Sequence, residues 1–302
     1  MSRYYPGVQS FIVVFYNHTG SSWLIETIGS SPSVFIPAYE PLEKGVWKTA
    51  PKDKIPWLSN AFGGPAGSGE KALDEWLDGL AEAPQFEQNR EKRTIFLKED
   101  RPNFRSVGFK VGTAAVRNPP EILECLHELG TKIVLLQRAD RAKHALSLYR
   151  SNVEKKDQFQ RKGELPPSEV DLEQFDFWLY KARVMHQTSE DLQAQAKALF
   201  ARKSLMTLNY EDFVTDQGKD RTIERLTRFL EIDAPQLGAS KFQKATPDRI
   251  KDAVVNYDEL AAHLRYTEYS IDARRPLWRR GMRRAIRALP RRASESVADD
   301  TS

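Results

Sequence analysis

Eight consecutive residues, Tyr16-Asn17-His18-Thr19-Gly20-Ser21-Ser22-Trp23, have the composition of an anion cradle. An apolar run ends at Tyr16, a short loop with one glycine follows, and helix-forming residues begin at Trp23. Such a turn aims several backbone N–H groups and the positive end of a helix dipole at one point. Thr19, Ser21 and Ser22 add hydroxyl donors. The triphosphate-binding form of this loop needs G-x-x-x-x-G-K-[ST]. That pattern is absent here, which takes most of the weight from a kinase or GTPase reading. An ordinary strand–turn–helix junction with a serine cap is the plain alternative.

Two further positions suit an anion. Arg138 closes the apolar run KIVLLQ, and Ser147 follows nine residues later on what reads as the next helix. A guanidinium pairs bidentately with phosphate oxygens, and a hydroxyl beside it suits a phosphate monoester dianion. A solvated or ion-paired arginine is the simpler account of the same residue. The third position is Leu208-Asn209-Tyr210-Glu211-Asp212-Phe213, again at a strand end, where acidic capping of a helix start would also explain the residues.

These residues need a scaffold that gathers strand ends. FIVVFY (11–16) reads as a buried strand, with loop 17–22 and a helix from Trp23 after it. Val34–Ile36, TIFL (94–97), SVGFKV (106–111), KIVLLQ (132–137) and SLMTLNY (204–210) read as further strands. Helical spacing links Leu73, Trp76, Leu77 and Leu80. It also links Ile122, Leu123, Leu126 and Leu129, after the prolines at 119–120 and before the stop at Gly130. Ala142 to Tyr149, Phe175 to about Phe200, and Ile223 to Leu230 continue the alternation. Strands alternating with helices predict an α/β fold with a three-layer, doubly wound parallel sheet. Residues 41–70, rich in Pro, Gly, Ser and Lys, read as long loops of the kind that cover a substrate.

With 302 residues, 40% of them hydrophobic, the chain can bury a sizeable core. The only cysteine, Cys125, reads as core filler, and without an internal disulfide the chain suits a reducing, cytoplasmic compartment. No run approaches the roughly 18 apolar residues that span a bilayer, and the first apolar run is too short for a signal-peptide core. Residues 273–302 hold nine arginines and three acids, so this tail carries +6 and leaves −2 for the rest of a +4 chain. A basic balance confined to a tail gives no sign of a nucleic-acid groove. The expected division is a domain over 1–272 and a basic tail over 273–302. In the tail Trp278, Met282, Ile286 and Leu289 recur at helical spacing among arginines. Such a stretch can lie on an anionic membrane face through residues 273–292, or remain a solvated tail.

Taken in order, the three motifs resemble the sulfotransferases that use 3′-phosphoadenosine 5′-phosphosulfate (PAPS). The loop at 18–23 is similar to that family's phosphosulfate loop, roughly [KR]-[ST]-G-[ST]-[ST]-[WFL]. RADRAKHALSLYRSN, from Arg138, is similar to its 3′-phosphate strand–helix. NYEDF with RTIERLTRFLEI is similar to its Tyr-Glu-Asp-Leu strand end and following helix, and KATPDRIKDAVVNYDELAAHL to the closing segment of bacterial members. The likeness spans roughly 8–270. It implies a sulfotransferase fold with a P-loop-like phosphosulfate loop and PAPS as co-substrate. The implied product is adenosine 3′,5′-bisphosphate, and no metal is implied. TGSSWLIETIGSSPSVFIPAYEPL further resembles carbohydrate sulfotransferases, which implies a carbohydrate or glycolipid hydroxyl as acceptor.

The resemblance assigns roles by position. The backbone of Thr19, Gly20, Ser21 and Ser22 would hold the 5′-phosphate, and His18 would stabilise the leaving oxygen. Trp23, Arg138, Ser147 and Tyr210 would contact the adenosine and its 3′-phosphate. Glu40 would take the acceptor's proton, with His144 as the next candidate. Lys110 could face the site, although a solvated lysine is the simpler reading. Two departures stand out: the family's loop Lys or Arg is His18 here, and Ala139 stands where the usual interval of eight before Ser147 would put the arginine. A PAPS-binding protein without turnover and a nucleotide kinase on a related fold are the other readings. A cytoplasmic enzyme, peripheral on the inner membrane face if the tail binds there, is the expected location.

Overall fold

The computed structural model describes residues 9–36, 103–113, 123–124, 126–127, 130–154, 165–214, 216–236, 240, 247, 249–265 and 267–271. Glu40, the loops expected at 41–70, the helical spacing of Leu73 to Leu80, TIFL, Cys125 and the tail lie outside them. The chain divides into two compact units, Met1–Asn256 and Tyr257–Ser302.

The first unit is built on a five-stranded, all-parallel sheet in the order β2-β3-β1-β4-β5. The strands are β1 (Gln9–Phe15), β2 (Val34–Phe35), β3 (Ser106–Gly112), β4 (Lys132–Gln137) and β5 (Leu205–Asn209). This is the α/β sheet expected from the alternating pattern, with the central strands β1 and β4 nearly all apolar and buried. The helices are α1 (Ser21–Gly29), α2 (Arg141–Asn152), α3 (Leu172–Leu199) and α4 (Asp216–Leu230).

Pleating of β1 divides its side chains between two layers. Phe11, Val13 and Phe15 share a core with Leu24, Ile25 and Ile28 of α1 and with Ile223, Leu226 and Leu230 of α4. On the opposite face Tyr16, just past β1, meets His186 of α3. Ser189 and Gln193 of the same helix reach Gln137 and Thr207. Helices therefore cover both faces, giving three layers.

Local signals set the helix ends. Asp140 caps α2 by accepting the Lys143 N–H at 2.9 Å, and Asp171 caps α3 by accepting that of Gln174 at 3.0 Å. Residues 123–124 and 126–127 are helical, with Leu123 and Leu126 buried, and Gly130 follows in the left-handed conformation at φ 64°. α1 begins at Ser21, two residues before the expected start. Near the end of the first unit Asn256 clamps Val170, accepting its N–H and donating to its carbonyl, each at 2.9 Å. The second unit contains α5 (Tyr257–Leu264), which buries Leu260, Ala261 and Leu264.

Candidate active site

The carboxyl end of β1 runs into a loop with two left-handed residues, His18 at φ 66° and Gly20 at φ 75°. Gly20 is the N-cap of α1 and has no side chain to offer the first-turn amides, so the serine-cap reading does not hold. No acid lies in that turn either. By helix geometry the N–H groups of Ser21, Ser22 and Trp23 have no partner within the helix, the arrangement that suits an anion. Gly20 is also required by space, because a Cβ there would stand 2.8 Å from the Tyr210 ring. Thr19 is fully buried and its hydroxyl donates to the Tyr16 carbonyl at 2.7 Å. It therefore closes the turn instead of supplying the side-chain donor expected of it.

Lys110, on the neighbouring strand β3, is the residue that sequence reasoning undervalued. It is 1% exposed, against the solvated lysine expected. Its ammonium donates to Ser22 Oγ at 2.9 Å and Ser21 Oγ at 3.3 Å, and lies 4.6 Å from the Phe15 ring centre. A buried cation thus stands at the two serines of the loop. Parallel pairing puts it there, since Lys110 is in register with Val13 of β1. A single polar residue inside an apolar run is the only signal the sequence gives.

Arg138 leaves the end of β4 nearly buried. Its Nη1 donates to the His18 carbonyl at 2.9 Å, and its guanidinium lies 4.7 Å from the Tyr210 ring centre. Its Nε lies 3.8 Å from a Glu211 carboxylate oxygen and makes no hydrogen bond. Glu211 is held by the next turn, accepting the N–H groups of Ala139 at 2.8 Å and Asp140 at 3.2 Å. Ser147 Oγ is 3.1 Å from His18 Nδ1. The fold therefore brings His18, Gly20, Arg138, Ser147 and Tyr210 together despite the altered Arg–Ser interval. Trp23 is stacked on Phe213, with ring centres 5.1 Å apart and planes 8° from parallel. Glu40 lies outside the described residues.

The electrostatics of this group decide what His18 is. Burial, followed by the nearby Arg138 charge, lowers its pKa from 6.5 to about 4. It is therefore a neutral imidazole at pH 7, and positive charge reaches the loop from Lys110 and Arg138. His144 does not suit the role of reserve base. It is fully buried, with Nε2 on the Asn17 carbonyl at 2.8 Å and Nδ1 on His186 at 3.1 Å. Among the described residues no three metal-ligating side chains converge.

A helix N-terminus without a side-chain cap thus stands beside one buried lysine, and an arginine with a serine stands a short way off. The arrangement offers two separate groups of donors that suit anions. The sulfotransferase domain family model matches residues 9–256, which takes in this whole arrangement. The chain belongs to the sulfotransferase domain family. That family consists of enzymes that use PAPS as sulfuryl donor, so the kinase reading is set aside.

Solved structures of other sulfotransferases resemble this one. A sulfotransferase from Alicyclobacillus acidocaldarius is 14% identical with a TM-score of 0.41, and the match covers 85% of this chain and 94% of that one. The sulfotransferase domain from the curacin biosynthetic pathway is 15% identical at a TM-score of 0.42, covering 83% and 89%. Sulfotransferase STF1 from Mycobacterium tuberculosis H37Rv is 13% identical at 0.36, covering 75% and 68%. Among curated proteins none matches the chain.

Proposed function

We propose that this sulfotransferase moves the sulfuryl group of PAPS to a hydroxyl of a carbohydrate or glycolipid acceptor. The observation that carries the reading is the helix N-terminus without a side-chain cap at Gly20, with buried Lys110 on its two serines and buried Arg138 on the His18 carbonyl of the same loop. A donor with a 5′-phosphosulfate and a 3′-phosphate fits it. The backbone N–H groups from Thr19 to Ser22 take the 5′-phosphate. Arg138 and Ser147 take the 3′-phosphate, and the free buried Nε of Arg138 is a donor in keeping with that role. Trp23 and Tyr210 flank the adenosine.

Transfer forms a bond from the acceptor oxygen to sulfur and breaks the bond from sulfur to the 5′-phosphate oxygen. The acceptor proton leaves to a base, for which Glu40 is the candidate. As in phosphoryl transfer, the protein contributes position and charge. Lys110 supplies the positive charge that the family's loop cation would give, and His18 donates a hydrogen bond to the leaving oxygen. A carbohydrate or glycolipid acceptor rests on the likeness of residues 19–42 to carbohydrate sulfotransferases. The basic stretch 273–292 would bring the enzyme to an anionic membrane face on the cytoplasmic side. Liposome co-sedimentation of the full chain beside one ending at Ile271 tests that part.

The donor site is tested by thermal shift. Adenosine 3′,5′-bisphosphate should raise the melting temperature well above the effect of adenosine 5′-monophosphate, because a ligand of the folded state stabilises it by mass action. Arg138→Ala should erase most of the difference. Equal shifts with both nucleotides would overturn the assignment of Arg138 and Ser147. Incubating the enzyme and labelled PAPS with carbohydrate and lipid fractions, and following the label by mass spectrometry, identifies the acceptor.

A further inference from the structure

Behind the anion loop lies a chain of buried hydrogen bonds that the transfer chemistry does not use. The Asn17 carbonyl can only accept, so His144 Nε2, 2.8 Å away, carries a proton. Burial first, and then the neighbouring Arg138 charge, hold His144 well below the usual histidine range, so the ring is neutral and its Nδ1 is bare. That nitrogen accepts, which requires His186 Nε2, 3.1 Å away, to donate. His186 is held neutral near a pKa of about 4, mainly by burial and then by Arg141 and Arg138. Its Nδ1 is therefore bare and faces the Tyr16 hydroxyl at 3.4 Å. That hydroxyl accepts the Arg138 backbone N–H at 2.7 Å, and its own proton is shared between His186 Nδ1 and the Arg138 carbonyl at 3.3 Å.

The Arg138 backbone N–H, His186 Nε2 and His144 Nε2 donate in sequence towards the Asn17 carbonyl, and the Tyr16 hydroxyl joins the first of them to His186 while also donating back to the Arg138 carbonyl. One end is the residue before left-handed His18, and the other is the backbone of the arginine that holds the His18 carbonyl. The rings also pack together, His144 edge to face with both Tyr16 and His186 and Tyr16 tilted against His186, with centres 4.9 to 5.1 Å apart. A buried network with all its members satisfied admits one arrangement, because breaking any link leaves a desolvated polar group.

We propose that His186 and His144 are positioning residues for the donor site. Together they fix the relative placement of the loop after β1 and the turn after β4, and so the spacing between the two anion-binding points. The claim rests on the reading of that site as a PAPS site. His186 sits on α3 and its hydrogen-bond partners are Tyr16 and His144, neither of them assigned to ligand contact, so its effect on affinity should pass through the network.

The test compares His186→Leu with His186→Gln. The Gln side chain carries a donor and an acceptor and can keep both links, whereas Leu keeps neither. Affinity for adenosine 3′,5′-bisphosphate should fall at least tenfold in His186→Leu and recover to within threefold of wild type in His186→Gln. In labelled wild-type protein a nitrogen–nitrogen coupling across the hydrogen bond should join His186 Nε2 to His144 Nδ1. This readout needs no variant to fold. His186→Leu binding the bisphosphate like wild type, or two histidines that titrate near 6.5 with no coupling, would overturn the proposal. Failure of the wild type to bind the bisphosphate would instead overturn the PAPS reading. In that case the amide resonances of residues 17–22 and 138 decide on positioning: they should move in His186→Leu and hold in His186→Gln, and resonances unmoved in His186→Leu would overturn it.

Discussion

Replacing Gly20 by alanine puts a number on how tightly the anion loop is built. At φ 75° an L side chain costs about 1–2 kcal/mol. The added Cβ would also stand 2.8 Å from two Tyr210 ring carbons and 3.2 Å from a Phe213 ring carbon, where about 3.5–4.0 Å is comfortable. Tyr210 has little room to yield, because its ring packs edge-on against Phe213 and covers the Arg138 guanidinium. Overpacking of that kind costs roughly 1–3 kcal/mol. The two together come to about 2–5 kcal/mol, or a melting temperature lower by roughly 5–15 °C for a domain of this size. Gly112→Ala is the control, since its Cβ would meet nothing closer than 3.7 Å, and it should melt within about 2 °C of wild type. Differential scanning calorimetry on the three proteins, without ligand, reads the effect. If Gly20→Ala melts with Gly112→Ala, the loop is loose and the geometric account of the site fails.

Other outcomes follow from the buried charges and imidazoles. Lys110→Met should weaken adenosine 3′,5′-bisphosphate by roughly 10- to 100-fold, the worth of one charge-assisted hydrogen bond, as read by calorimetric titration; an unchanged Kd would remove Lys110 from the donor site. His18→Ala should lower kcat about a hundredfold while leaving bisphosphate affinity within a few-fold, by steady-state kinetics and titration. The depressed pKa values of His18 and His186, both about 4, and of His144 set an acid limit on stability. The unfolded chain takes up protons first, so this contribution is whole above about pH 6.5 and is lost as pH falls towards and through 4. The unfolding free energy from urea titrations should drop between pH 7 and 5, by up to about 1.4 kcal/mol per pH unit for each histidine, and a flat profile would refute the burial of these rings.

The sequence disclosed the scaffold wherever burial left one solution. KIVLLQ matches β4 residue for residue because its four consecutive apolar residues, Ile133 to Leu136, suit a strand buried on both faces of the sheet. The start of α1 escaped because the left-handed conformation of Gly20 ends the loop at once, and the two serines are already helical. Of the candidate site, the loop, Arg138 and Tyr210 were legible as strand-end residues, and Ser147 as a hydroxyl on the helix that follows one. Lys110 was not, because its role depends on which strand lies beside β1. Strand order in a parallel sheet is a property of the crossovers, not of the strand itself. His144 and His186 were hidden for the same reason: they meet only because α2 packs on α3. The neutral state of His18 was also out of reach, since a histidine's charge is set by surroundings the chain supplies from elsewhere.

The place of β1 at the centre of the sheet has a consequence for how the protein is made. Gln9 lies opposite Ser106 and Phe11 opposite Lys132, so both neighbours of the first strand lie about a hundred residues downstream. At synthesis rates of about 5–20 residues per second, the segment FIVVF leaves the ribosome roughly 5–20 s before either partner exists. During that interval it is a short, apolar, uncharged stretch of high β-propensity, the kind that pairs with another copy of itself when nothing else is available. Slower translation lengthens the exposure, and anything that occupies the nascent segment shortens it. The strand that carries the anion loop is therefore the part of the enzyme most dependent on the timing of its own synthesis.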